Sequence, residues 1–187
     1  MSGRRERTKA ANRAALITAA RDAFGALGYE AAAVRDIVRR TDLASGTFYN
    51  YFPDKDAIFR AVVEEAGAEA RRRVRAARTA ARSLPEFIEA GYHAYFTFVA
   101  EDPATSAFLH RNVHLLGLAA ELPLGAQELA EDLRARGYDD VDYAAHAMVA
   151  VGVELGARMA ERNPPDVEGA TRFATSLFLD GLGWPSP

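Results

Sequence analysis

Between Val34 and Phe52 the apolar residues fall at helical intervals in two short bursts, Val34, Ile37 and Val38, then Phe48 and Phe52, with a polar corner at Thr41 and Asp42 between them. That spacing predicts two short helices around a tight turn, each with one face inward. In the first, Arg35, Arg39 and Arg40 lie mostly off the apolar face, so the helix is expected to pack inward and stay basic outward. Asp42 is expected at the turn, because aspartate tolerates the left-handed backbone better than most residues, and Leu43 can plug the corner. Two residues compete to cap the second helix: Ser45, with its hydroxyl, and Ala44, which offers none. Phe48 and Phe52, four apart, anchor that helix and turn Thr47, Tyr49, Asn50 and Tyr51 in other directions. Pro53 ends it, and Asp54 starts the next.

Everything further along also reads as helix, so the expected fold is all-α. One long segment runs from Asp54 to about Arg82 without proline, and its arginines 71, 72, 73, 75, 78 and 82 are expected on a solvated face. Further helices are expected from Pro85 to about Ala100, from Pro103 to about Leu118, from Leu124 to Arg136, from Asp140 to Arg162 and from Asp166 to Leu182. The helix before Ala100 is apolar nearly all round, as a buried helix is. Its Tyr92, His93 and Tyr95 are expected to bring polar tips inside, beside Phe96 and Val99, with Phe108, Asn112, Val113 and Leu116 from the following helix. Such an apolar space with a few polar groups suits a small molecule, probed against the plainer reading of a filled core. Two stripes near the C-terminus, Met148, Gly152, Leu155 and Gly156, then Phe173, Leu177 and Phe178, combine small and apolar residues that let helices approach closely.

Composition narrows the class. The 187 residues are 49% hydrophobic and 26% charged, enough for one or two small packed domains. A polar, basic N-terminus and the lack of any run of about eighteen apolar residues predict neither signal peptide nor membrane span. The chain has no cysteine, which excludes disulfides and thiolate metal sites and is compatible with the cytoplasm. Charge is divided unevenly: residues 1–60 carry eleven Lys plus Arg against seven Asp plus Glu, a balance of +4, and the rest carries −7, together the net −3. A basic module on an acidic body is the electrostatic footprint of nucleic-acid binding. Arg4, Arg5, Arg7 and Lys9 extend that charge to the N-terminus, where an arm can follow the DNA backbone, enter a minor groove or remain a solvated tail.

The second short helix has the chemistry a reader of duplex DNA needs. Ser45, Gly46 and Thr47 are slim enough to enter a major groove about 12 Å wide, and Tyr49, Asn50 and Tyr51 supply reach and hydrogen-bonding groups. The segment from Phe24 to Ile58 resembles the DNA-binding domain of the tetracycline-repressor (TetR) family of bacterial transcription regulators. Phe24, Gly28, Tyr29, Ile37, Gly46, Thr47, Tyr49, Tyr51, Phe52, Lys55, Ile58 and Phe59 carry the likeness. Thr41, Asp42, Leu43 and Ala44 replace that family's usual Ala-Gly-Val-Ser, and Ala31, Ala32 and Ala33 stand where it commonly places a phosphate-touching threonine.

The resemblance implies a helix-turn-helix domain over residues 1–53 and a ligand-binding, dimerising helical domain over residues 54–187. It implies that Ser45, Gly46, Thr47, Tyr49, Asn50 and Tyr51 contact DNA, with Arg35 beside them and Lys55 gripping a phosphate. It further implies a two-fold dimer through the C-terminal stripes, a palindromic operator, an apolar or aromatic effector that releases DNA, no cofactor and a cytoplasmic location.

Two rivals belong to other classes. His110 and His114 share the spacing of the HExxH metal motif, but Arg111 replaces its glutamate, no glycine-rich phosphate loop occurs, and no enzymatic activity is expected. A helical small-molecule-binding protein that does not bind an operator is the other alternative.

Overall fold

The computed structural model describes residues 2–103, 106 and 121–181. It is built of helices, with no strand among the described residues: α1 (Ser2–Leu27), α2 (Val34–Val38), α3 (Ser45–Phe48), α4 (Lys55–Thr79), α5 (Leu84–Glu101), α6 (Glu121–Ala135), α7 (Asp142–Ala160) and α8 (Val167–Leu179). The expected helices are present within a few residues, apart from the one starting at Pro103, most of which lies outside the described residues.

Two apolar cores form, joined by α4. The first gathers Leu16, Ile17, Ala20 and Phe24 of α1, Ile37 and Val38 of α2, Phe48 and Phe52 around α3, and Ile58, Phe59 and Val62 of α4. Phe24 meets Phe59 edge-on at 5.5 Å, and Tyr29 closes the cluster 4.9 Å from the same ring. A division at residue 53 therefore cuts through this core, because the first turns of α4 pack as part of the head.

Gly28 ends α1 with φ of 79°, its N–H returning 2.9 Å to the carbonyl of Phe24; a Cβ there would strain the left-handed turn. At the other end, α1 continues to Ser2, although only Leu16 onward supplies a buried face. Its early turns stand in solvent, and Ala10, Ala11, Ala14 and Ala15 supply the helix propensity that carries them.

The second core gathers Phe87, Ile88, Tyr92, Phe96 and Val99 of α5 with residues of α6, α7 and α8. The arginine run of α4 is not a free face. Arg71 and Arg75 lie 3.4 and 3.3 Å from the two Glu128 oxygens, and Arg73 bridges Glu69 at 2.6 Å and Glu101 at 2.7 Å. Arg78 lies over the ring of Phe87 at 4.9 Å, and burial lowers its pKa to about 10. These contacts tie the far half of α4 to α5 and α6.

Candidate nucleic-acid interface

The corner between α2 and α3 is closed by a side chain. Thr41 Oγ1 donates to Val38 O at 2.9 Å and accepts the N–H of Leu43 at 3.3 Å. This hydroxyl supplies a turn without glycine, so Asp42 does not adopt the expected left-handed backbone; among the described residues the non-glycine with positive φ is Asp140, at 51°. The N-cap of α3 is Ala44, without a side-chain bond, and Ser45 is its first residue, so the expectation that Ser45 could cap is corrected. Upstream, Ala33 caps α2 and its N–H is taken at 2.9 Å by Asp36.

Regular α-helix ends at Phe48, but i→i+3 bonds carry the coil on, from Asn50 N–H to Thr47 O at 3.2 Å and from Tyr51 N–H to Phe48 O at 2.9 Å. Phe48 and Phe52 are buried beneath it. Above them Gly46 has open space where a Cβ would stand, Tyr49 is 61% exposed with its ring edge-on to Phe48, and Asn50 is exposed. Thr47 and Tyr51 are half-buried, Tyr51 against the first core. The side chain of Ser45 lies outside the described residues. Arg35 is exposed on α2, 3.9 Å from Asp36.

Lys55 follows directly. Asp54 caps α4 through Ala57 N–H at 2.7 Å, and the Lys55 ammonium donates to Tyr29 O at 2.8 Å while sitting 4.3 Å from that ring's centre. Tyr29 donates a short hydrogen bond to Asp56. Burial first, and then that bond, raise the Tyr29 pKa well above its ordinary value, so the phenol stays a neutral donor. The holding role of Tyr29 was not foreseen from the sequence, where it stood only among the residues that carry the family resemblance.

Beside α3, a cleft opens between the first turns of α1 and the end of the coil, lined by Arg4, Arg5, Thr8, Lys9, Asn50 and Tyr51. The Arg13 guanidinium lies 5.3 Å over the Phe52 ring, fastening α1 alongside. The i, i+4 row of Arg5, Lys9 and Arg13 was the sequence signal for this arrangement.

In the body, the expected ligand wall divides. The Tyr92 hydroxyl donates to Met148 O at 3.0 Å, and its ring stacks on Phe96 at 5.8 Å, so both are committed to a filled core, with Val99 buried alongside. Tyr95 is half-buried, and burial raises its pKa to about 12. His93 does not point inward: its side chain is half exposed and its Nε2 lies 3.2 Å from Glu168. Phe108, Asn112, Val113, Leu116, His110 and His114 lie outside the described residues.

The first C-terminal stripe packs within the subunit. Met148, Gly152 and Gly156 are buried; a Cβ at Gly152 would stand 3.2 Å from Tyr92 and one at Gly156 2.9 Å from Tyr95. The small residues thus admit tyrosines of α5 within the subunit. Leu155 and Phe178 pack partly against the same core, Leu177 is half-buried, and Phe173 is 50% exposed. Among the described residues there is no cluster of metal-ligating side chains, and no helix long and apolar enough to cross a membrane.

An exposed aromatic and amide edge on a helix-turn-helix, set into a basic head, defines a DNA-binding module of transcription regulation. Residues 16–62 match the family model described as bacterial regulatory proteins, tetR family, so this segment is similar to the DNA-binding domain of that family. Solved structures extend the likeness in fold over nearly the whole chain. The fatty acid degradation regulator FadR from Bacillus halodurans is 20% identical with a TM-score of 0.73, covering 91% of this chain and 96% of that one. A TetR-like regulator from a Rhodococcus species is 21% identical with a TM-score of 0.71, covering 90% and 93%. A TetR-family regulator from Pectobacterium atrosepticum is 22% identical with a TM-score of 0.67, covering 90% of each. A search of curated proteins finds no match.

Proposed function

We propose that this protein is a ligand-released repressor that binds a palindromic operator as a homodimer. The observation that carries the reading is the division of α3: Phe48 and Phe52 sealed beneath, Tyr49 and Asn50 standing free above. Thr47, Tyr49 and the slim start at Ser45 and Gly46 enter the major groove, and Arg35 and Lys55 meet phosphates on either side. The Lys55 bond to Tyr29 uses one of three ammonium protons and leaves others for a phosphate.

So short a reading helix needs a twin. Two heads about 34–36 Å apart meet successive major grooves on one side of the duplex. The surface best suited to pair the subunits is the outward side of α7 and α8: Tyr143, 88% exposed, with exposed Ala147 and Ala150 along its row, and Phe173. The effector is an apolar or aromatic molecule held in the body near Tyr95, and it favours a head spacing that no longer fits the grooves, with α4 as lever. The ion pairs of α4 with Glu101 and Glu128 give that lever its grip. No catalytic step and no cofactor belong to this account.

Selection of bound duplexes from a random pool tests it. An inverted repeat with half-sites about 10 base pairs apart, bound by two chains, is expected. Failure to retain any duplex leaves the alternative, a helical small-molecule-binding protein without operator binding.

A further inference from the structure

The geometry points to a phosphate clamp beside the reading helix, formed by the cleft between the first turns of α1 and the residues just after α3, which grips the sugar-phosphate backbone and reads no base. This rests on the proposed DNA binding and adds a contact region to it. Three cations, Arg4, Arg5 and Lys9, line one wall with the Thr8 hydroxyl; Asn50 and Tyr51 form the other. The three cations are exposed, whereas Arg71, Arg72, Arg73 and Arg75 of α4 are paired with carboxylates. A cluster of charge of one sign in a concave wall attracts a polyanion.

The arm is helical from Ser2, which decides between the two ways it could meet DNA. A helix with its side chains is about 10–12 Å across, and a minor groove is about 6 Å wide. The arm therefore lies against the phosphate ridge and does not thread the groove. Arg5, Lys9 and Arg13 recur every four residues, so one row of charge spans about 12 Å along α1. Arg13, seated over Phe52, fixes that row to the base of the reading helix. Asn50 and Tyr51 share the cleft with the cations and so take the phosphate side of the contact, which leaves Thr47 and Tyr49 as the base-reading pair.

The test compares the full chain with the triple variant Arg4→Ala, Arg5→Ala, Lys9→Ala and with the charge-preserving triple variant Arg4→Lys, Arg5→Lys, Lys9→Arg. Binding to a duplex selected from a random pool and to an unrelated duplex of equal length is measured across a salt series. Removing three phosphate contacts per chain is expected to reduce the slope of log affinity against log salt by about 2–3 units for each bound chain, about 5 for the dimer, on both duplexes. The preference between them stays unchanged, the charge-preserving variant stays near wild type, and Asn50→Ala weakens both duplexes equally. These residues are exposed or line the cleft, so the thermal unfolding midpoint of each variant should match wild type, and a lowered midpoint at full slope would count against the clamp. A triple variant with the wild-type slope, or one that changes the preferred sequence, overturns it while the regulator reading stands. A wild-type chain that retains neither duplex overturns both.

Discussion

The ammonium of Lys55 is held between the carbonyl oxygen of Tyr29, at 2.8 Å, and the face of the same residue's ring, 4.3 Å away. One tyrosine thereby joins the end of α1 to the first turn of α4 and presents a cation beside α3. Its phenol is separately engaged by Asp56. Tyr29→Phe should remove the second link and keep the first: stability falls by about 1–2 kcal/mol in urea unfolding, with the salt dependence of DNA binding unchanged. Lys55→Met should do the reverse in binding, lowering the salt slope by about 0.9 per bound chain, about 1.8 for the dimer, on every sequence.

The Thr41 hydroxyl serves two backbone groups at the corner that aims α3. Thr41→Val keeps the shape and deletes both bonds. The expected cost is about 1 kcal/mol, measured by urea unfolding, with weaker DNA binding because the entry angle of α3 loosens. Thr41→Ser should restore both.

How much of this was legible in the chain differs by residue. Phe48 and Phe52, Pro53 and Asp54 announced the reading helix, its end and the next start, because each acts through local chemistry. The turn at Thr41 was harder to see, since a hydroxyl closing a corner leaves no mark in hydrophobic spacing. The helical arm was hidden for a related reason: Arg4 to Ala15 has no apolar stripe, and only propensity carries it. Met148, Gly152 and Gly156 showed a stripe made for close approach, but a stripe does not name its partner. Within the subunit, Tyr92 and Tyr95 of α5 stand against Gly152 and Gly156.

That packing has a mutational consequence. A methyl at Gly156 would stand 2.9 Å from Tyr95 Cε1 and 3.4 Å from Val99 Cγ2. Gly156→Ala should gain about 1 kcal/mol in helix propensity and lose more to overpacking, for a net loss of about 1 kcal/mol in denaturant unfolding. A gain in stability would show that the tyrosine has room to move.

Alkaline pH should loosen the body through the same residue. Burial raises the Tyr95 pKa to about 12, against about 10 for an ordinary phenol. Below about pH 10 both states keep the proton and Tyr95 adds no slope. Between about 10 and 12 the unfolded chain releases it first, so stability falls as pH rises. Tyr29 and Tyr92 act in the same direction, whereas Arg78, lowered to about 10, acts against them. Tyr95→Phe should flatten the alkaline slope in that window by about 1.4 kcal/mol per pH unit, measured by urea unfolding at fixed ionic strength.

In the proposed function the exposed edge around α3 reads base pairs, and Tyr49 is 61% exposed there. The most direct measurement is the affinity of wild type and Tyr49→Ala for a pool-selected duplex and for an unrelated one at low salt. Wild type should prefer the selected duplex, and Tyr49→Ala should lose about 1–3 kcal/mol of that preference while still binding both. A chain that binds neither duplex, or a variant whose preference is intact, would contradict it.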